Sequence, residues 1–216
     1  MPRWRDNALP VIDMNPVFES SSLCAREFRP DEVPRLQAFF DANPGIFIVV
    51  NGRPPQPDEA QTAFDAMPPP HLAFSRRWFL GLFHRKTAEQ AAEAPLAGVA
   101  IVNSNLGAPG VWHLALFFVE GALQGRGVAS EFYAAMEAWV RGQGAQWLRL
   151  GVVEGNLRAQ RFRSREGFQA VRSREGIDTG GRLNTVHVLV QPRTDQTDLA
   201  RYLELTPCDR PGSSLP

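Results

Sequence analysis

Apolar and polar positions along the chain fall into short segments with two different periods. Leu23 to Phe28 alternates as a strand does, and RPDEVPRLQAFFDANPG then puts Val33, Leu36 and Phe40 on one helical face before Asn43, Pro44 and Gly45 stop it. After a proline-rich loop, Asp58 caps a second short helix whose inward residues are Ala60, Phe64 and Met67. Arg77 to Arg85 and Leu96 to Asn105 read as a long hairpin joined by the polar, alanine-rich KTAEQAAEA. From Trp112 the pattern sharpens. WHLALFFV is an unbroken apolar run, too short for a comfortable helix, and reads as a strand covered on both faces. Behind it Val128, Phe132, Ala135, Met136, Trp139 and Val140 make one helical stripe that ends at Gly142 or Gly144. Two more strands follow, QWLRLGVV and NTVHVLVQ.

Length and composition place these elements in one domain. A chain of 216 residues, 44% of them hydrophobic, can bury a real core. Residues 21–206 are expected to form it, between a polar, proline-dotted extension (1–20) and a loose tail (207–216), neither of which should carry chemistry. Formal net charge is zero, so nothing in the global balance points to nucleic acid or a membrane surface as partner. The opening MPRWRDNALPVIDMNP lacks the apolar core of a signal peptide, and no apolar run of about 18 residues occurs, so a cytoplasmic location is expected. Cys24 and Cys208 have no metal-ligand spacing and are expected to be free thiols, with no metal site.

The chemistry lies in VEGALQGRGVASEFY, residues 119 to 133, which runs from strand through a tight turn into helix. A helix start offers backbone N–H groups without intrahelical partners and the positive end of the dipole, and so attracts phosphate. Gly125 and Gly127 let the backbone approach an anion with no Cβ in the way; the plainer reading is an ordinary turn. Two phosphate motifs are excluded: there is no GxxxxGK[ST], the only lysine being Lys86 far upstream, and no GxGxxG.

Gln124, Gly125, Arg126, Gly127, Val128 and Ala129 match (Q/R)xxGx(G/A), and Asn156, Ala159, Phe162, Gly167 and Phe168 stand at the offsets of N..A..(L/F)Y...GF. Together these blocks resemble the GNAT superfamily, the acyl-CoA-dependent N-acyltransferases. The resemblance implies an α/β (α+β) fold, a mixed sheet of about six or seven strands flanked by about four helices, whose central parallel strands, 112 to 119 and 147 to 153, splay apart. It implies acetyl-CoA as co-substrate, its pyrophosphate on the 124–129 loop. Its pantetheine amides would meet backbone groups around Phe118, Val119 and Gly121, with Asn156, which alone reads as a helix N-cap, on the far side. The reaction implied is direct attack by a primary amine, of a small molecule or a peptide, on the thioester; a homodimer stays open. The alternative is a non-catalytic acyl-CoA-binding or regulatory domain.

The sequence departs from the family at one position. Where many members carry a tyrosine proposed to protonate the departing thiolate, this chain has Arg163, which cannot be an ordinary general acid. Its charge could stabilise the thiolate or an oxyanion, its fork could grip a carboxylate on the acceptor, or it could turn outward with Arg158, Arg161 and Arg165 as a solvated basic face. Such a face could also meet the 3′-phosphate of the cofactor. For the base, strict alternation puts His113, Ala115, Phe117 and Val119 on one face and Leu114, Leu116, Phe118 and Glu120 on the other. His113 stands where members often carry a Glu or His, though a lone His in an apolar strand is commonly a packed core residue. Glu120 and His187 are further candidates, and an amine that arrives deprotonated needs none. The acceptor pocket would be built by the first two helices, the loop IVVNGRPPQPDEAQ and the final strands; Asp58, Glu59 and Asp65 are placed to answer the helix dipole, less to bind an ammonium.

Overall fold

The computed structural model describes residues 16–85, 94–193 and 197–215; most of the N-terminal extension and the body of the linker that carries Lys86 lie outside these. An eight-stranded mixed sheet runs in the order β1-β2-β3-β4-β5-β6-β8-β7. Its strands are β1 (Phe18–Glu19), β2 (Leu23–Glu27), β3 (Arg76–His84), β4 (Leu96–Ser104), β5 (Val111–Val119), β6 (Trp147–Val153), β7 (Gln169–Asp178) and β8 (Leu183–Pro192). The α-helices are α1 (Val33–Ala42), α2 (Gly45–Asn51), α3 (Glu59–Asp65), α4 (Val128–Gly142), α5 (Leu157–Arg165) and α6 (Leu199–Leu205).

Both faces of the sheet are covered, which is why β4 is buried at every residue and reads as an apolar run as far as Val102, before Asn103 and Ser104. On one face α4 inserts Phe132, Tyr133, Met136 and Val140 against Leu80, Leu82, Trp112, Leu114 and Leu148, with Ala159 and Phe162 of α5 packed at the border. On the other, Leu36, Phe39 and Phe40 of α1 meet Phe79, Phe83, Val99 and Phe118. A third cluster joins Tyr202 of α6 to Trp147, Val188 and Val190.

Several sequence expectations need correction. IFIVVN is a helix, α2, entered directly from Pro44; its β-branched residues hide the period, because Ile46 and Phe47 pack inward while Ile48 and Val49 stay exposed. α3 ends at Asp65, so Met67 is exposed, and Asp58 occupies the N-cap without a side-chain cap bond. Phe18, placed in the extension, is a core residue of β1. The tail is anchored: Pro207–Asp209 form a 3₁₀ turn with Asp209 buried, and Arg172 donates to the carbonyls of Cys208, Ser213 and Leu215.

The sheet splits at its centre. β5 and β6 pair in parallel only from Val111–Leu114 to Trp147–Leu150; beyond that β5 stays with β4 and β6 stays with β8. The parting coincides with a β-bulge. Ile101 pairs with Leu116 but Val102 with Leu114, so Ala115 is the extra residue, and a bulged strand bends. Ala115 and Gly151, mid-sheet on the facing strands, are consequently exposed.

Candidate active site

The bulge also resets which side chains share a face. Trp112 and Leu114 lie on the α4 side, and past Ala115 so do Phe117 and Val119, whereas Leu116 and Phe118 join the α1 core. His113 therefore does not share a face with Phe117 and Val119, as strict alternation expected; one inserted residue reverses the parity. The backbone follows the same logic. Glu120 N–H donates to Ala97 O, so by antiparallel alternation Phe118 also turns its polar groups to β4, and Phe117 and Val119 turn theirs to the cleft. The backbone polar groups of Phe118, expected to face the cleft, are thus turned to β4, and those of Phe117 face the cleft instead. The Val119 carbonyl accepts from Gln124 Nε2 at 2.7 Å, and Gly121 N–H donates to Asn43 Oδ1 at 3.0 Å, so these two expected ligand contacts have partners of their own.

At the cleft mouth the turn has the geometry that the anion argument requires. Gly125 and Gly127 hold φ of 76° and 81°, the left-handed region that favours glycine, and beyond the adjoining chain no heavy atom of the described residues lies within 4 Å of a Cβ built on either. Gly127 is the N-cap of α4 and supplies no side chain to the first-turn N–H groups. The first turn of a 15-residue helix therefore opens onto free space next to Arg126, Val128 and Ala129. Across the cleft Asn156 caps α5, its Oδ1 accepting from Ala159 N–H at 3.1 Å. Arg158, Arg161 and Arg165 of the same helix are exposed.

Arg163 is not among them. It is 7% exposed, with its guanidinium carbon 5.0 to 5.7 Å from the ring centroids of Phe162, Phe117, Tyr133 and Phe168. Its Nε and Nη1 are buried and have no hydrogen-bond partner among the described residues. Burial draws its pKa down to about 10, which still leaves it charged at neutral pH. Tyr133, which sequence reading passed over, closes the back of this cage and donates its hydroxyl to Gln191 Oε1 at 2.7 Å. Only its sidestep from the helical stripe, one residue after Phe132, hints at a second buried face of α4.

His113 sits elsewhere, on the opposite face of the sheet. Its Nδ1 lies 3.2 Å from Arg149 O and 3.3 Å from Arg149 Nη1, so in either tautomer that nitrogen addresses Arg149. Arg149 in turn makes a two-point pair with Asp209 (2.6 and 3.0 Å), and Tyr202 donates its hydroxyl to the same carboxylate. Burial and the neighbouring guanidinium push the imidazole pKa down to about 3. A nitrogen so weakly basic, and already engaged, is poorly suited to take a proton from an amine. Glu120 is half-buried at the end of β5 with His84 Nε2 3.6 Å from its carboxylate, and His187 Nδ1 is 2.9 Å from Ser173 Oγ. Cys24 is no activated nucleophile, because burial and Glu19 raise its pKa.

Over the α1 face the two halves of the split sheet are tied together. Thr179 Oγ1 and Asn184 Nδ2, at the β7–β8 turn, donate to Val50 O at the end of α2 at 2.9 and 2.8 Å. Glu59, named as an ammonium candidate, accepts instead from Asn51, Arg53 and the Gln56 N–H. Among the described residues no helix is long and apolar enough to cross a membrane, and no three His, Cys, Asp or Glu side chains group as metal ligands.

Comparison with known proteins agrees with this architecture. Solved structures with the same fold include an acetyltransferase from Thermus thermophilus (22% identity, TM-score 0.58, covering 79% of this chain and 97% of that one). Others are the ribosomal-protein-S18-alanine N-acetyltransferase from Escherichia coli (15%, 0.55, 82% and 97%) and a probable GNAT-family acetyltransferase from Chromobacterium violaceum (12%, 0.65, 89% and 98%). Among curated proteins none matches. Residues 36–168 match the family model described as the acetyltransferase (GNAT) family, so the chain belongs to that family and is an acyltransferase by membership.

Proposed function

We propose that this protein transfers an acyl group, acetyl in the simplest case, from coenzyme A to a primary amine by direct attack of the amine on the thioester. The observation that carries this reading is the split between β5 and β6, opening beside a left-handed glycine turn that leads into α4. Gly125, Arg126, Gly127, Val128 and Ala129 would hold the pyrophosphate through backbone N–H groups and the helix dipole. The cleft-facing backbone of β5, at Phe117 and at the Val119 N–H, whose carbonyl already accepts from Gln124, would orient the pantetheine arm, with Ala159 and Phe162 of α5 along its other side. Acyl-CoA brings the activated carbonyl and a good leaving group. The protein's share is positioning, exclusion of water and handling of charge. Of the three proton acceptors first considered, Glu120, part-exposed and next to His84, is better suited than His113, engaged with Arg149, or His187, engaged with Ser173, to receive the amine proton, directly or through water. The tie between α2 and the β7–β8 turn would form the outer wall of the acceptor's entry, admitting a small molecule or a peptide end.

The test is release of free thiol from acetyl-CoA across a panel of primary amines, with mass spectrometry of the product. An N-acetylated amine is expected. Coenzyme A binding without acylation of any amine would show a binding module instead.

A further inference from the structure

Arg163 presents a physical problem that acetyl transfer does not solve. A guanidinium taken from water needs an anion or a full set of acceptors, and this one, nine-tenths buried, has neither at Nε or Nη1. Four aromatic faces recover part of the loss, since a cation is attracted to ring faces, but rings accept no strong hydrogen bond. The other buried arginines have a carboxylate: Arg26 has Glu32, Arg149 has Asp209, and Arg193, although its Nε and Nη1 are also unpartnered, meets Glu137 through Nη2. No carboxylate of the described residues lies within ion-pair distance of Arg163; Glu166 acts on it only from farther away.

The cage is placed to receive an anion from the cleft. Two of its walls, Phe117 and Phe162, are only half-buried, and Phe117 follows the exposed Ala115 by two residues at the point where the sheet opens. It lies on the α4 side, the side of the glycine turn, whereas the α1, α2 and β7–β8 wall lies across the sheet. An acetyl group supplies no charge to fill this place. We propose that the donor is a coenzyme A thioester of a short dicarboxylic acid, succinyl or a near homologue, whose distal carboxylate pairs with Arg163 when the half-buried rings of Phe117 and Phe162, in contact with centroids 5.9 Å apart, part to admit it. This rests on the acyl-CoA reading above and names the acyl class. The transfer stays balanced: the amine nitrogen bonds to the acyl carbon, the C–S bond breaks, and the thiolate takes up the proton that the amine releases. The distal carboxylate is unchanged.

The experiment is calorimetric titration with coenzyme A, acetyl-CoA, succinyl-CoA and pentanoyl-CoA, the last similar in length to succinyl but uncharged, on the wild type and on Arg163→Met. Succinyl-CoA should bind the wild type at least tenfold tighter than pentanoyl-CoA. Arg163→Met, whose side chain suits the aromatic cage, should abolish that preference and leave coenzyme A affinity within about twofold. Equal affinity for the charged and uncharged thioesters in the wild type overturns the proposal with no variant needed. Preference retained in Arg163→Met overturns it too, as does an Arg163→Met variant that loses turnover equally with every donor at unchanged affinity, which would assign the charge to the leaving thiolate. If no thioester and no free coenzyme A binds, the acyl-CoA reading itself has failed.

Discussion

Two buried arginines on opposite faces of the same sheet have had their charges neutralised to very different degrees. Arg149, on β6, meets Asp209 through two nitrogens, and Asp209 is further fixed by Tyr202, so the charge closes the C-terminal segment onto the sheet. Arg163, on α5, is about as well buried and is surrounded by rings. A satisfied buried pair is a structural fastener; an unsatisfied one persists where a function uses it. The contrast separates a fold determinant from a site residue without appeal to their positions in any motif.

The largest expected effect is on the fastener. Asp209→Ala leaves Arg149 buried and unpaired, and urea denaturation should show a loss of about 3–5 kcal/mol; a change below about 1 kcal/mol would remove the distinction drawn here. The next effect concerns pH. Because the folded state holds His113 neutral with a pKa of about 3, the unfolded chain binds the extra proton as pH drops below its ordinary value of about 6.5. Stability should therefore fall as pH goes from 6.5 to 4, by about 2–3 kcal/mol from this residue, and the fall should be smaller by that amount in His113→Gln. Parallel pH profiles for the two proteins would show that His113 is not held neutral. The Asp209 carboxyl, lowered chiefly by its bonds to Arg149 against the opposing effect of burial, keeps its contribution above its unfolded value near 4 and loses it only as pH falls through its lower folded value. The smallest effect is at the other arginine: Arg163→Met should leave stability unchanged or raise it by about 1–2 kcal/mol, since no partner is orphaned. A loss of more than about 2 kcal/mol would mean that the ring contacts alone had made Arg163 a structural residue.

The same contrast explains what could be read from the sequence. Elements whose signal is local were legible: the strand, turn and helix from 111 to 142, the second splayed strand, and Asn156 as the cap of α5. Ala115 could not be recognised as a bulge, because the extra residue exists only relative to its partner strand β4, and with it went the facing of His113. Asp209 lay in a segment whose proline, glycine and serine content suggests a loose end, yet its partners are 60 and 7 residues away. Arg163 was found as a departure from a family pattern. Its burial was not visible, because three exposed arginines share its helix and the rings that enclose it come from β5, α4, α5 and the residue just before β7. α2 was missed because half of its β-branched residues face solvent.

The central claim is that the left-handed glycine turn at the start of α4 holds the pyrophosphate of coenzyme A, and calorimetry of coenzyme A binding to the wild type and to Gly127→Val tests it most directly. Beyond the adjoining stretch of chain, no atom of the described residues stands within 4 Å of the added Cβ, so the branched side chain would intrude on ligand space, and the backbone at φ 81° would be strained by an amount on the order of 1–3 kcal/mol. The account predicts micromolar-range binding to the wild type and at least a tenfold loss in a Gly127→Val protein that circular dichroism shows to be folded. Unchanged affinity in that folded variant would contradict it.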